Sequence, residues 1–420
     1  MFNSKKSNVN FRGTLGDELK SRRIALCITG SVASIKSPEI ARELIRHGAD
    51  VIPIMSDGAM AFITPLLMEW ATQNDVISKL TGHMEHIKLI EKGPEKIDLL
   101  LIAPATANTL SKIASGISDT SVTVVASSAL GSGIPIVAAP SMHVSLWSNS
   151  AVKLNLDRLK KLKVDILAPQ IVEGKTKITT TEIIVNEVIQ RLTPQSLAGK
   201  RVFVTAGPTY ENIDPIRIIS NRSTGKMGFA LAKEAWRRGA EVTLVSGPTT
   251  LSPQKSIDYT SIVTSRELLE VVKSKLKAKK YDLFLAAAAP GDFRPAKPKN
   301  EKISSRISQP FDIKFEATEK VIHNVKKIQS DIFLLPFKAE WSQNQDKMIE
   351  HAKMVMRESD ADLVAINDAS LKGAAFEGDT NQILLLKKDG DTIDIPLDSK
   401  EIVASRILDV FIDIVGKQHQ

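Results

Sequence analysis

The chain has 420 residues, 43% of them hydrophobic and 25% charged, a length that calls for two ordinary cores and not one. Lys and Arg (56) exceed Asp and Glu (48) by a formal +8, but the excess lies in short solvated runs such as Lys277–Lys280, and with aromatic residues at 5% there is no base-stacking patch, which excludes nucleic acid and leaves anionic small molecules as partners. The single cysteine, Cys27, excludes an intramolecular disulfide framework; with a polar start and no run of membrane-spanning length, the expectation is a cytoplasmic enzyme with no membrane partner.

In chain order, Arg22–Thr29 reads as a buried strand, Gly30–Ser34 as the loop into a helix over Ser37–His47, and Val51–Met55 as the next strand, together a βαβ unit. A third strand, Asp98–Ala103, runs into Pro104–Thr109, and a fourth, Ile134–Ala139, into Pro140–His143. The carboxyl ends of such strands form the ligand crevice of an open parallel sheet. Gly30 and Ser31, Ser56 to Gly58, Thr106 to Asn108, and Ser127 and Ser128 suit a phosphate and a polar ring edge, although Ser and Thr are also routine helix caps. No G-x-G-x-x-G follows the first strand, which argues against a dinucleotide site. His83 and His86 lack a ligand cluster that would make a metal site; His86 and His143 are instead candidate acids, bases or carboxylate anchors.

Pro, Gly and polar residues over Arg191–Lys200 mark a domain boundary, after which Arg201–Thr205 opens a second βαβ unit. The loop Ile219–Gly228, leading into a helix from Phe229, offers free backbone N–H groups to an anion. Tyr281–Leu285 leads into the small residues Ala286–Arg294 and then the Pro/Lys loop Pro295–Lys302. Lys353 and Arg357 share a helix face, where two cations suit phosphate oxygens or plain solvent. Asp362–Asp368 reads as a strand, and the stretch from Ile383 as a hairpin around Asp389 and Gly390.

Taken together, Gly30–Lys36, Phe62–Pro65, His86 with Ile87, Ala103–Asn108 and Ala139–Met142 resemble the flavin-binding half of the bifunctional coenzyme A biosynthesis enzymes, phosphopantothenoylcysteine decarboxylase joined to phosphopantothenate cysteine ligase. Ala206–Thr209, Asp214–Arg217, Ser220 with Asn221, Ser223–Gly228, Asp292–Arg294, Glu301–Ile303 and Ile366–Asp368 resemble the ligase motifs in their usual order. The resemblance implies an α/β chain of two Rossmann-like parallel-sheet domains: a flexible tail over 1–20, an FMN-dependent decarboxylase domain over 21–190, a linker over 191–199 and a ligase domain over 200–420.

For the first domain it implies FMN held between subunits of a trimer by Gly30, Ser31, Ser56, Phe62, Thr106 and Asn108, with His86 engaging the substrate carboxylate and Met142 and His143 at the substrate. Flavin oxidises the cysteinyl thiol to a thioaldehyde, an electron sink that lets CO2 leave, and then returns the electrons. The sequence departs from the pattern twice: His143 stands where many members have Asn, and the flap Ile171–Lys177 has no Cys to supply the final proton. Both features resemble archaeal-type members, which favours a variant enzyme. The alternatives are a flavin-binding scaffold attached to an active ligase, or a nicotinamide-dependent oxidoreductase.

For the second domain, dimeric by resemblance, it implies that the 4'-phosphopantothenate carboxylate attacks the α-phosphate of CTP (or ATP), and that cysteine then displaces the nucleotide monophosphate. Lys302 and Mg2+ assist the first step, Asn221 acts as an amide donor in the second, and Arg217 binds substrate. Ala287, Asp292, Lys302, Phe337, Lys353 and Arg357 contact the nucleotide.

Overall fold

Apolar, β-branched runs that end in small polar loops become the parallel strands of two separate sheets. The computed structural model describes residues 11–172, 175–254, 256–304, 312–341, 344–371 and 378–418. The chain divides into two units, Met1–Thr193 and Pro194–Gln420.

In the first unit β1 (Arg23–Ile28), β2 (Asp50–Met55), β3 (Leu99–Ala105), β4 (Ile136–Pro140) and β5 (Val164–Ile166) lie in the order β2-β1-β3-β4-β5, all parallel. Alternate residues feed opposite faces: Ile24, Leu26 and Ile28 enter one core, Ala25 and Cys27 the other. The crossovers and flanks are α1 (Ser37–Arg46), α2 (Pro65–Thr72), α3 (Glu85–Ile90), α4 (Ala107–Ala114), α5 (Ser121–Gly131), α6 (Ser150–Lys161) and α7 (Thr181–Leu192). The strand expected at Ile134 starts two residues later, because the Ile134 N–H donates to Ala129 O and closes the end of α5.

The expected tail over 1–20 needs correction from residue 11. Gly13, Leu15 and Leu19 donate backbone N–H bonds to Ile45, Arg46 and His47, and the Leu19 side chain is fully buried. These bonds satisfy carbonyls at the end of α1 that the helix leaves open. Gly48, at φ +100°, is where the chain leaves α1, and a Cβ there would meet the Lys20 backbone N at 2.9 Å.

In the second unit β6 (Arg201–Ala206), α8 (Lys226–Arg237), β7 (Glu241–Ser246), β8 (Asp258–Ser261), α9 (Ser265–Ala278), β9 (Leu283–Ala286), β10 (Phe333–Glu340), α10 (Gln345–Ser359), β11 (Leu363–Asp368), β12 (Thr380–Lys387), β13 (Thr392–Ser399) and α11 (Lys400–Gln418) follow in turn. The sheet order is β8-β7-β6-β9-β10-β11-β12-β13, parallel as far as β11 and antiparallel beyond it. The expected hairpin around Gly390 is β12–β13. Helix α8 begins at Lys226, three residues before the expected Phe229, because Gly225 at φ +80° turns the chain into it.

Both sheets therefore have the Rossmann-like, doubly wound arrangement, with order 2-1-3-4-5 in the first and 3-2-1-4-5-6 through the parallel part of the second. Strand order reverses direction beside β1 and β3 in one, and beside β6 and β9 in the other, and ligand crevices open at those points. Among the described residues no helix is long and apolar enough to cross a membrane.

Candidate functional sites

Adjacent strands β2, β1, β3 and β4 deliver their end loops to one edge of the first unit. Gly30 and Gly58 meet backbone to backbone: a Cβ on Gly30 would lie 3.0 Å from the Cα and carbonyl carbon of Gly58. The buried Thr29 hydroxyl donates to Pro104 O (2.7 Å) and accepts from Thr106 N (3.0 Å), so the loops after β1 and β3 are tied together. Ser31 and Ser141 hydroxyls pair at 3.0 Å and link the loops after β1 and β4. Ser31, Ser56 and Thr106 also act as caps, accepting from Ala33 N, Ala59 N and Thr109 N. Asn108 is exposed at the start of α4. Phe62, Leu66 and Trp70 add an exposed apolar rim beside the loop after β2.

Met142 is buried and His143 exposed at the end of β4. Ser145 N–H donates to His143 Nδ1 (3.3 Å), and the Ser145 hydroxyl lies 2.9 Å from the same nitrogen. Because Nδ1 accepts, the neutral ring carries its proton on Nε2 and presents an N–H outward. A histidine here thus offers a donor, as an asparagine amide would.

His86 lies on α3 and not on the strand-end loops. Its helix α3 packs against α5, and its Nδ1 is buried without a hydrogen-bond partner. The flap Ile171–Lys177 is a hairpin in which Gln170–Val172 pairs with Lys175–Lys177, while Glu173 and Gly174 lie outside the described residues. Cys27 cannot replace the missing flap thiol: it is fully buried in β1, and burial pushes its pKa far up.

In the second unit the crevice is built on close backbone approaches. Gly207, at φ +73°, lies against Gly225, and a Cβ on Gly228 would meet Ala206 Cβ at 2.5 Å, so α8 seats directly on β6. Ala287 N donates to Thr205 O (3.1 Å) and Ala289 N to Gly207 O (2.9 Å), which lays the loop after β9 alongside the end of β6. Asn221 Nδ2 donates to Ala289 O (3.2 Å) and Pro290 O (3.0 Å). The two carbonyls are consecutive along the chain, and together they hold the Asn221 side chain against the loop after β9 at the edge of the crevice.

Arg217 Nη1 is also committed, to the Asp214 carboxylate and to Ile303 O (3.1 Å), leaving Nε and Nη2 for a substrate anion. Asp214 is buried; burial alone would raise its pKa, but N–H donors from Ile216, Ile303 and Arg217 and the Arg217 guanidinium outweigh it and hold the pKa at about 2. Lys302 is exposed beside Ile303. Asp292 is exposed and paired with Lys320. Phe337 lies on β10, next to β9, half-buried against the core.

Lys353 and Arg357 are not brought to this edge. Helix α10 leaves the carboxyl end of β10 and runs back toward the start of β11, with Arg357 in its last turn, about 18 Å along the axis from its first residue. Both side chains are exposed, so the solvated face is what the structure contains.

Two buried residues without an expected role complete the edge. Thr209 donates to Glu211 Oε1 (3.0 Å) and accepts from Gly291 N (2.9 Å), while Glu211 caps α9 by accepting from Ser265 N (2.8 Å). A carboxylate two residues after a TAGPT turn was the available signal. Among the described residues there is no cluster of three or more His, Cys, Asp or Glu suited to a metal ion.

The flavoprotein family model matches residues 13–193, and the model described as DNA/pantothenate metabolism flavoprotein C-terminal domain matches 197–414. The coenzyme A biosynthesis bifunctional protein CoaBC of Thermococcus kodakarensis is 43% identical over 396 residues, covering 94% of this chain and 96% of that protein. Its counterpart from Methanocaldococcus jannaschii is 34% identical and covers 86% of each. A crystal structure of the C-terminal domain of a CoaBC protein is 31% identical, covers 53% of this chain and 99% of that one, and gives a TM-score of 0.44.

Proposed function

The chain belongs to the bifunctional coenzyme A biosynthesis proteins, flavoproteins with decarboxylase and ligase activities, and on that premise we propose that it converts 4'-phosphopantothenate and cysteine into 4'-phosphopantetheine in the cytoplasm, using CTP, Mg2+ and FMN. The observation that carries the reading is a pair of strand-order reversals, each bordered by loops bearing the motifs of one half-reaction.

The first unit fits FMN by the chemistry of its donors. Ser31, Ser56 and Thr106 offer hydroxyls and loop N–H groups for a phosphate, Asn108 an amide for a polar ring edge, and Phe62 an apolar face. When bound, the flavin supplies reversible two-electron oxidation of the substrate thiol, which provides the electron sink that decarboxylation requires. His143 Nε2–H holds the substrate, and His86 engages the carboxylate. The buried orphan nitrogen of His86 and the exposed rim of Phe62, Leu66 and Trp70 fit a second copy completing the crevice, as the trimer would. With no flap thiol, His143 or a water delivers the final proton.

In the second unit the substrate carboxylate attacks the nucleotide α-phosphate and pyrophosphate leaves; the cysteine amine then displaces the nucleotide monophosphate from the acyl carbon. Lys302 neutralises charge gathering on the phosphates, and Arg217 holds the substrate through Nε and Nη2. Asn221, held at the loop after β9, acts as the amide donor that steadies the acyl oxygen while the amine adds. Ala287 and Asp292 border the nucleotide and Phe337 its base. Mg2+ would come with the triphosphate, would offset its charge and would need few protein ligands.

The test is to supply purified protein with phosphopantothenoylcysteine alone and follow CO2 and 4'-phosphopantetheine. Sustained turnover is expected; none, with flavin bound and the ligase active, would make the first unit a scaffold.

A further inference from the structure

The loop that carries Lys302 is stitched to the hairpin formed by Glu211–Asn212 and Ile218–Ile219. Lys299 N donates to Ile213 O (2.9 Å), Ile303 N to Asp214 Oδ2 (3.0 Å), and Arg217 Nη1 to Ile303 O (3.1 Å). Both main-chain groups of Ile303 are therefore held by one Asp–Arg pair. The pair is itself fixed, because Asp214 Oδ1 accepts from Ile216 N (2.8 Å) and Arg217 N (2.7 Å), and the Asp214 side chain has no solvent exposure. A fully buried carboxylate that spends one oxygen on its own turn and the other on a distant loop is costly unless that loop matters, since burial of a charge is tolerated only with full hydrogen bonding.

We propose that Asp214, with Arg217, is a positioning clamp for Lys302: it fixes the peptide next to Lys302 so that the exposed ammonium reaches the nucleotide phosphates during acyl-nucleotide formation. This rests on the role given to Lys302 above. The clamp bears chiefly on the first half-reaction: Asp214 also steadies Arg217, which holds the substrate in both steps, but only the part that runs through Lys302 is confined to acyl-nucleotide formation.

The experiment is a double-mutant cycle on the full-length protein: Asp214→Asn, Lys302→Ala and both together, with pyrophosphate release and, separately, cysteine transfer from preformed acyl nucleotide as readouts. Asp214→Asn should slow pyrophosphate release at least tenfold, slow aminolysis much less and leave the cysteine KM within twofold, and cost far less in the Lys302→Ala background than in the wild type. Ile303→Pro, which deletes the same donor from the other side, should reproduce the loss if Asp214→Asn folds poorly. Multiplying effects in the double variant, equal loss of both half-reactions, or normal pyrophosphate release in Asp214→Asn overturns the clamp. Normal pyrophosphate release in Lys302→Ala instead overturns the role of Lys302 itself.

Discussion

Gly30→Ala tests whether the first crevice depends on direct backbone contact between the loops after β1 and β2. The added Cβ would sit 3.0 Å from the Cα and carbonyl carbon of Gly58 and 3.1 Å from its oxygen. Carbon atoms rest at about 3.5–4.0 Å, so one loop must retreat by about 0.5 Å, and the obstacle is backbone that no rotamer change relieves. Overpacking of this kind costs about 1–3 kcal/mol. If the strain falls on the flavin-competent arrangement, affinity drops roughly 5- to 150-fold, at 1.4 kcal/mol per factor of ten. The assay is FMN titration of flavin-stripped protein by fluorescence quenching. Gly58→Ala, whose Cβ approaches Gly30 Cα less closely at 3.3 Å, should weaken binding less, and Gly131→Ala, whose Cβ meets nothing within 4 Å, should leave it unchanged. Wild-type affinity in Gly30→Ala would refute the argument.

His143→Ala should raise the KM for phosphopantothenoylcysteine at least tenfold with flavin content unchanged, and His143→Asn should recover most of it by restoring a donor; steady-state kinetics on both variants decides. Arg237 is 2% exposed and lies 3.9 and 3.7 Å from Glu234 and Glu401, which keep closer partners in Arg238 (2.8 Å) and Lys233 (2.9 Å), so Arg237→Ala should lower stability in urea unfolding mainly through the packing lost around its buried stem, by about 2–5 kcal/mol, whereas Glu401→Gln should cost less because that side chain is more exposed. The Glu187 carboxyl is raised by burial and then by Asp165. A carboxyl with a raised folded pKa favours the fold only while protonated and loses that contribution as pH rises through it. Glu187→Gln should therefore raise the melting temperature at pH 7 and not at pH 4. Asp214 runs the other way: its pKa, held at about 2, gives a contribution present above the ordinary carboxylate range and lost only as pH falls toward 2. Proteolysis of the 299–304 loop should accordingly stay constant from pH 8 to 5.

The βαβ openings were legible because a strand buried on both faces reads as an unbroken apolar run, as Ile24–Ile28 and Leu99–Ile102 do, and because Gly48 and Gly239 mark helix ends. Strand order was not legible, since it depends on which distant edges pair. Leu19 looked like part of a polar tail because a lone apolar residue carries no periodicity; its burial depends on hydrogen bonds to the end of α1. The motif order located the loops containing Asn221 and Arg217, but not the direction of their hydrogen bonds, which neighbouring carbonyls decide. Lys353 and Arg357 share a face as their spacing requires, yet spacing is silent on which end of a helix meets the crevice. Asp214 lay inside a recognised motif, and only its complete burial and its bond to Ile303 N gave it a task.

The central claim is that one chain performs both reactions. Mass analysis of products formed from 4'-phosphopantothenate, cysteine and either CTP or ATP tests it most directly. The account predicts 4'-phosphopantetheine, cytidine monophosphate, pyrophosphate and CO2 in equal amounts, with ATP much the poorer substrate. Accumulation of phosphopantothenoylcysteine with no CO2 from the flavin-loaded protein would contradict it.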